Sequence, residues 1–343
     1  MKKGFATIKD IARELKVSPS TVSRALKDHP DISGETKRAV NELAEKLNYQ
    51  PNAVALSLKQ QRSNTIGVII PEMVHYFFSS VISGIEDVAY DAGFNVIICQ
   101  SNEMADREKA NVKTLLASQV DGILVSVSKE TKDFSHLEKI RKNEVPLIFY
   151  DRIVPGFVAD QVIIDDFDAA YRATRHLVDS GRKRIAHFAG PQNLLIGQQR
   201  KEGYKKALED AKIHLGETLV YDADNFEKAR LAVLKILESG IDIDGIFAVN
   251  DLTAIGAMQT LQKRRIKIPD EVAIVGFSDG RFSGITDPTL TSVDQHGYEM
   301  GTVATRMLLK RILSKEDYPA ETRILNANLI VRGSSQIKKI NDI

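Results

Sequence analysis

The sequence predicts an α/β protein: an N-terminal three-helix helix-turn-helix head with a hinge helix, then a two-lobed core of parallel sheets. Three observations carry that expectation. The stretch from Thr7 to Leu26, TIKDIARELKVSPSTVSRAL, reads as two short helices around a tight turn. From Thr65 onward, Val/Ile-rich runs alternate with helical stretches, and the alternation restarts near Arg184. Charge is divided as well. Residues 1–62 hold 12 Lys+Arg against 7 Asp+Glu, a balance of +5, and the remainder holds 35 against 39, a balance of −4. A basic head on a mildly acidic body points to DNA contact at one end and sensing at the other.

In the head, Thr7 followed by Asp10 is a capping-box start, and Ile8, Ile11, Ala12 and Leu15 form one apolar face. Lys16 and Val17 turn the chain. Ser18-Pro19 is a cap followed by a first-turn proline, which starts a second helix. That helix buries Val22, Ala25 and Leu26 and presents Ser20, Thr21, Ser23 and Arg24, short hydroxyls and one fork-shaped cation suited to a DNA major groove. Ser33 caps a third helix, GETKRAVNELAEKLNY, whose Val40, Leu43, Ala44 and Leu47 close a small core. Pro51 then breaks the chain and Asn52 can cap a short segment, QPNAVALSLK, too short to persist as an isolated helix in water. A second copy or DNA can order it, and Leu58 is the candidate to wedge between base steps in the minor groove.

These head and hinge motifs, with LNYQPNAVALSLK and TIGVIIP after them, make the chain resemble a LacI/GalR-family transcriptional regulator from Thr7 to about Ser335. The resemblance implies a homodimer reading a roughly palindromic double-stranded operator, and a periplasmic-binding-protein-like core. It implies phosphate contacts from Ser18, Thr21 and Ser23, and base reading from Pro19, Ser20 and above all Arg24. Thr7, Tyr49, Asn52, Ala55, Leu58 and Lys59 complete the DNA-binding set. Leu56 departs from the arginine common in the family and removes one phosphate contact. The expected domains are residues 1–50 for the head, 51–63 for hinge and linker, and 64–343 for the effector-binding and dimerisation core. Lobe one takes about 64–163 and 296–324; lobe two takes about 164–295 and 325–343.

The runs IGVII, NVIICQ, GILVSV, PLIFYD and VIID, then RIAHFAG, LVYDAD, GIFAVN and VAIVGFSD, have the composition of strands buried on both faces. Two successive βαβ series give two lobes, and ligands in such sheets bind beyond the carboxyl ends of the strands. The residues at those ends are the effector candidates: Asp151, Asn250, Asp251, Ser278, Asp279 and Gln295. Arg200, which opens the run RKEGYKKALEDA, matches the family's ligand-gripping arginine. Phe77, Phe78 and Phe247 can wall a ring. Ser278 replaces an aspartate of many sugar-responsive relatives. Two leucines in LLIGQQR replace polar contacts of a purine-responsive one, which favours a sugar or sugar derivative over a purine.

Composition sets the other bounds. A chain of 343 residues with 43% hydrophobic and 27% charged residues supports a full-sized core, and its net charge is only +1. The one cysteine, Cys99, excludes an internal disulfide framework and a cysteine-rich zinc site. MKKGFATIKD lacks the apolar stretch of a signal peptide, and no run has membrane-spanning length, so a cytoplasmic protein is expected. The tail after Gly333 is too short for a heptad repeat, which favours a dimer over a coiled-coil tetramer. Gly276–Gly280 spells G-x-S-x-G, but Gly284 and Pro288 stand where a nucleophile elbow needs a helix. Neither a phosphate-cradling G-x-x-x-x-G-K loop nor H-E-x-x-H occurs, so no cofactor, metal or catalytic residue is expected. Two rival readings stay open: a sensor answering to a protein co-regulator, and a hydrolase with a DNA-binding head.

Overall fold

The computed structural model describes residues 6–49, 62–213, 219–314 and 319–336. The expected hinge residues Asn52, Ala55, Leu56, Leu58 and Lys59, and the tail from 337, lie outside the described residues. The chain divides into two compact units, one up to Ser63 and one from Asn64.

The first unit holds α1 (Ile8–Glu14), α2 (Pro19–Ala25) and α3 (Gly34–Lys46). The Thr7 N–H and hydroxyl both donate to Asp10 Oδ2, at 3.0 and 2.7 Å. Ser18 Oγ accepts from Thr21 N at 3.0 Å and Ser33 Oγ from Thr36 N at 3.2 Å, so orphan N–H groups of α2 and α3 are satisfied. Ile11, Ala12, Val22, Ala25, Val40, Leu43 and Ala44 bury together, with Ile8, Leu15, Leu26 and Leu47 around them.

The second unit contains two six-stranded sheets. Lobe one has β1 (Thr65–Ile70), β2 (Asn95–Gln100), β3 (Gly122–Val125), β4 (Leu147–Tyr150), β5 (Asp160–Ile164) and β11 (Thr322–Leu325), in the order β11-β5-β4-β3-β1-β2. Lobe two has β6 (Ile185–Ala189), β7 (Val220–Asp222), β8 (Gly245–Ala248), β9 (Ala273–Phe277), β10 (Thr291–Asp294) and β12 (Asn328–Ile330), in the order β12-β10-β9-β8-β6-β7. All neighbours are parallel except β10 and β12. Apart from Thr65 at the start of β1, these central strands are buried along their whole length because helices cover both faces, which is why they read as unbroken apolar runs.

Helices α4 (Tyr76–Asp91), α5 (Ala105–Ala117), α6 (Ser135–Lys142) and α11 (Gly297–Leu313) belong to lobe one. Helices α7 (Asp166–Asp179), α8 (Leu195–Asp210), α9 (Phe226–Ser239) and α10 (Asp251–Lys263) belong to lobe two. Helices α4 and α11 touch backbone to backbone. A Cβ at Gly84 would meet the Tyr298 carbonyl oxygen at 2.1 Å, and one at Gly301 would meet the Val81 oxygen at 2.1 Å. The chain passes between the lobes three times: from β5 into α7, from β10 into α11, and from β11 into β12. Among the described residues no helix is long and apolar enough to cross a membrane.

Candidate DNA-reading face and effector cleft

Apolar spacing puts Val22 and Ala25 of α2 in the head core, which turns the other face outward. Ser18, Pro19, Ser20 and Arg24 are exposed, and Thr21 and Ser23 half-exposed. Ser18 Oγ lies 2.7 Å from Ser20 Oγ and 2.8 Å from Thr21 Oγ1, so the hydroxyls cluster at the helix N-terminus, where backbone N–H groups favour an anion. Thr7 is exposed and Tyr49 packs at the edge of the head core. Arg24, also exposed, stands in the last turn of the same helix.

In the second unit a cavity of about 200 Å³ lies at the carboxyl ends of the strands, between the lobes. Lobe one contributes Glu72, His75, Phe77, Phe78, Glu103, Lys129, Asp151 and Arg152; lobe two contributes Leu194, Ile196, Arg200, Asp224, Val249, Asn250 and Ser278, with Gln295 at the crossover after β10. Of the residues expected from the sequence, Phe77, Phe78, Asp151, Arg200, Asn250, Ser278 and Gln295 meet there. The two phenyl rings pack edge to face with centroids 5.2 Å apart and form an apolar wall.

Arg200 is 4% exposed and lies in the second turn of α8, which begins at Leu195 rather than at the arginine. Its Nε donates to Asp166 Oδ1 at 2.7 Å and its Nη1 to the Val249 carbonyl at 2.8 Å, while the guanidinium stacks on Phe277 at 3.7 Å. These contacts use part of its five N–H groups and hold the rest in one orientation. Burial raises the Asp166 carboxyl above the carboxylate range, and Arg200 partly offsets this. Asp151, with φ +59°, is also buried, and burial pushes it up to about 6 against the opposing charges of Arg152 and Arg200. Gln295 Nε2 approaches Asp151 Oδ1 at 3.5 Å, and Ser278 Oγ donates to Gln295 Oε1 at 2.8 Å. Asn250 caps α10 by accepting from Thr253 N at 2.9 Å, and its Nδ2 donates to the Asp224 carbonyl at 2.8 Å.

Three expected residues serve elsewhere. Phe247 is fully buried in β8, its ring stacked 4.9 Å from that of His187, because both faces of that strand are covered. Asp251 turns inward and accepts from Gly280 N at 2.7 Å, Ser283 Oγ at 2.9 Å and Ser292 Oγ at 2.5 Å. It anchors the loop after β9; burial pushes its carboxyl up to about 6, and the three hydrogen bonds oppose the rise. Asp279 is held by Arg332, whose Nη1 donates to Oδ1 at 2.5 Å and Nη2 to Oδ2 at 3.1 Å. Only a 3₁₀ turn, Arg281–Gly284, follows Ser278, so the G-x-S-x-G segment forms no nucleophile elbow.

The charged residues that sequence reading passed over come from the same strand ends. Lys129 Nζ of lobe one pairs with Asp224 Oδ2 of lobe two at 3.1 Å, and Asn193 Nδ2 of lobe two donates to the Lys129 carbonyl at 2.5 Å. Arg152 Nη1 donates to both oxygens of Glu103, at 2.9 and 2.8 Å. His75 Nε2 lies 3.1 Å from Glu72 Oε2.

Residues 63–332 match the family model described as periplasmic binding proteins and sugar binding domain of LacI family, and residues 7–52 match bacterial regulatory proteins, lacI family. The chain belongs to the LacI family. Its LacI-family relatives include Catabolite control protein A of Priestia megaterium, 35% identical over 306 residues, which are 89% of this chain and 92% of that protein. The HTH-type transcriptional repressor PurR of Vibrio atlanticus (strain LGP32) is 32% identical over 339 residues, 98% of this chain and 100% of that one. Among solved structures, a transcriptional regulator CelR–cellobiose complex superimposes with a TM-score of 0.73 at 28% identity, over 96% of this chain and 99% of the other. The lac repressor dimer bound to operator and the anti-inducer ONPF has the same fold, with a TM-score of 0.84 at 24% identity, over 97% and 100%. As a LacI-family member the chain is a DNA-binding, ligand-responsive transcription regulator, and not an enzyme.

Beneath the cleft, His187 is fully buried between the rings of Tyr204 and Phe247. Burial pushes its imidazole down to about 4; a hydrogen bond with the Phe247 carbonyl opposes that and the Arg200 charge adds to it. A histidine whose folded pKa is depressed contributes stability at neutral pH that is lost as pH falls from about 6.5 toward 4. His187→Phe should therefore gain on wild type by on the order of 3 kcal/mol between pH 7 and pH 4, since aspartates shared by both proteins cancel in the difference. Urea unfolding of both at the two pH values measures it; an unchanged difference refutes the assignment.

Proposed function

We propose that the protein is a homodimeric, cytoplasmic repressor of carbohydrate-metabolism genes that binds a roughly palindromic operator and answers to a small sugar or sugar derivative. The observation that carries this reading is the cleft: hydrogen-bonding groups from both lobes converge on about 200 Å³ beside an apolar wall at Phe77 and Phe78. A ligand touching Asp151 on one side and Arg200 on the other interacts only with one relative placement of the lobes. It shifts the equilibrium between placements by that differential affinity, and the shift would pass to DNA through residues 51–63.

On DNA, Ser18, Thr21 and Ser23 would contact phosphate and Arg24 would read a base, with Pro19, Ser20, Thr7 and Tyr49 beside them. Asn52, Ala55, Leu58 and Lys59 would form the hinge contacts. The test is a thermal-shift screen of the full chain against ribose, glucose, cellobiose, hypoxanthine and guanine, followed by operator binding with and without each hit. A sugar should raise the melting temperature by mass action and change operator affinity. A response to nucleobases alone overturns the reading.

A further inference from the structure

Each basic side chain lining the cavity already faces a carboxylate. His75 faces Glu72, Lys129 faces Asp224, Arg152 faces Glu103, and Arg200 faces Asp166. Asp151 is left over, no closer than 3.8 Å to the Arg152 Nε, so with Asp166 behind the lining counted, carboxylates outnumber basic groups around the cavity. An incoming phosphate or carboxylate would lose water and find no uncommitted cation to replace it. Hydroxyl groups, by contrast, can donate to Asp151 and to the carboxylates beside it.

Glu103 is the member of this set that the fold goes out of its way to present. Asn102 and Glu103 both adopt left-handed backbone, with φ of +51° and +62°, which a non-glycine residue takes at a cost. The Glu103 side chain is buried, and it also accepts from the Lys129 backbone N–H at 2.8 Å. Burial raises its carboxyl, but the Arg152 guanidinium, with the backbone N–H and charge of Lys129, more than offsets this, and the group is held below its ordinary value.

We propose that Glu103 sets the charge class of the effector: by neutralising Arg152 it restricts the cleft to uncharged sugars and excludes their phosphorylated or acidic forms. This rests on the reading of the cleft as a carbohydrate site. Glu103→Gln keeps an oxygen for the Lys129 N–H and removes the nearer counter-charge, freeing the Arg152 Nη1 for an anion while Asp151 stays 3.8 Å from its Nε.

The experiment measures binding by the full chain, wild type and Glu103→Gln, of glucose, glucose 6-phosphate, ribose, ribose 5-phosphate and inorganic phosphate. Wild type should bind a phosphorylated sugar at least a hundredfold more weakly than its parent. Glu103→Gln should gain at least tenfold for phosphorylated sugars and inorganic phosphate, with little gain for the parents. The neutral pair Glu103→Gln/Arg152→Gln should lose that gain. Equal wild-type affinity for a sugar and its phosphate overturns the proposal while leaving the carbohydrate cleft standing. So does a phosphate affinity unchanged by Glu103→Gln, and if that variant fails to fold, the wild-type selectivity alone decides. If no sugar or sugar phosphate binds either protein, the carbohydrate reading falls, and the proposal with it.

Discussion

Arg200→Ala should abolish the response of operator binding to sugar and lower the melting temperature of the core. Asp166 is buried and paired with Arg200, so the truncation strands a carboxylate in a low-dielectric site. Breaking a buried pair in this way costs about 3–5 kcal/mol, or roughly 10 °C for a unit of this size. Stacking on Phe277 and the donation to the Val249 carbonyl are lost with it. Arg200→Met with Asp166→Asn separates the two roles. It removes the orphaned charge and should recover most of the stability, while the sugar response stays absent. Calorimetry and operator binding with and without sugar distinguish these outcomes. A single variant that still binds sugar normally removes Arg200 from the site.

Arg24→Ala should relax sequence selection at one base pair in each half-site. A bidentate arginine–guanine contact discriminates by about 1–3 kcal/mol, and two heads double the loss on a palindrome. Thr21→Ala should behave differently. Its hydroxyl lies 2.8 Å from the Ser18 hydroxyl in the cluster at the start of α2, and its proposed contact is to phosphate rather than to a base. It should therefore weaken all sequences by a similar factor and shallow the salt dependence. Binding-site selection with the two variants is the measurement. An unchanged consensus for Arg24→Ala refutes the readout assignment.

The fold was legible because its strongest signals are local. Capping residues at Thr7, Ser18 and Ser33 mark the helix starts of the head, and strands covered on both faces are continuous runs such as TIGVII and AIVGF. The same continuity hides which face a side chain takes. Phe247 sits in GIFA, where every residue is buried, and nothing local shows that its ring stacks on His187 instead of facing the cleft. Asp251 and Asp279 stand at strand ends as a ligand-binding residue would, but partners more than ten residues away, Ser292 and Arg332 among them, take up their carboxylates. Such pairing exists only in three dimensions. Arg152, Lys129 and Asp224 were within reach of the strand-end rule, since each closely follows β4, β3 or β7. Glu103, which closely follows β2, was within reach too; what no local signal shows is that it meets Arg152 across 49 positions of sequence.

The three passages between the lobes have a consequence for how the protein is made. Sheet one is built from β1 to β5 and then from β11, which begins at Thr322, and its covering helix α11 begins only at Gly297. At about 5–20 residues per second, roughly 8–30 s of synthesis separate the last strand of the first series from its edge partner. During that interval β5 has an unpaired edge, and the face of α4 at Gly84, where the Tyr298 backbone later fits, is open to water. Lobe two closes later still, because β12 follows β11. Neither lobe is a contiguous piece of chain, so the nascent protein must hold an incomplete hydrophobic surface until its final strands emerge.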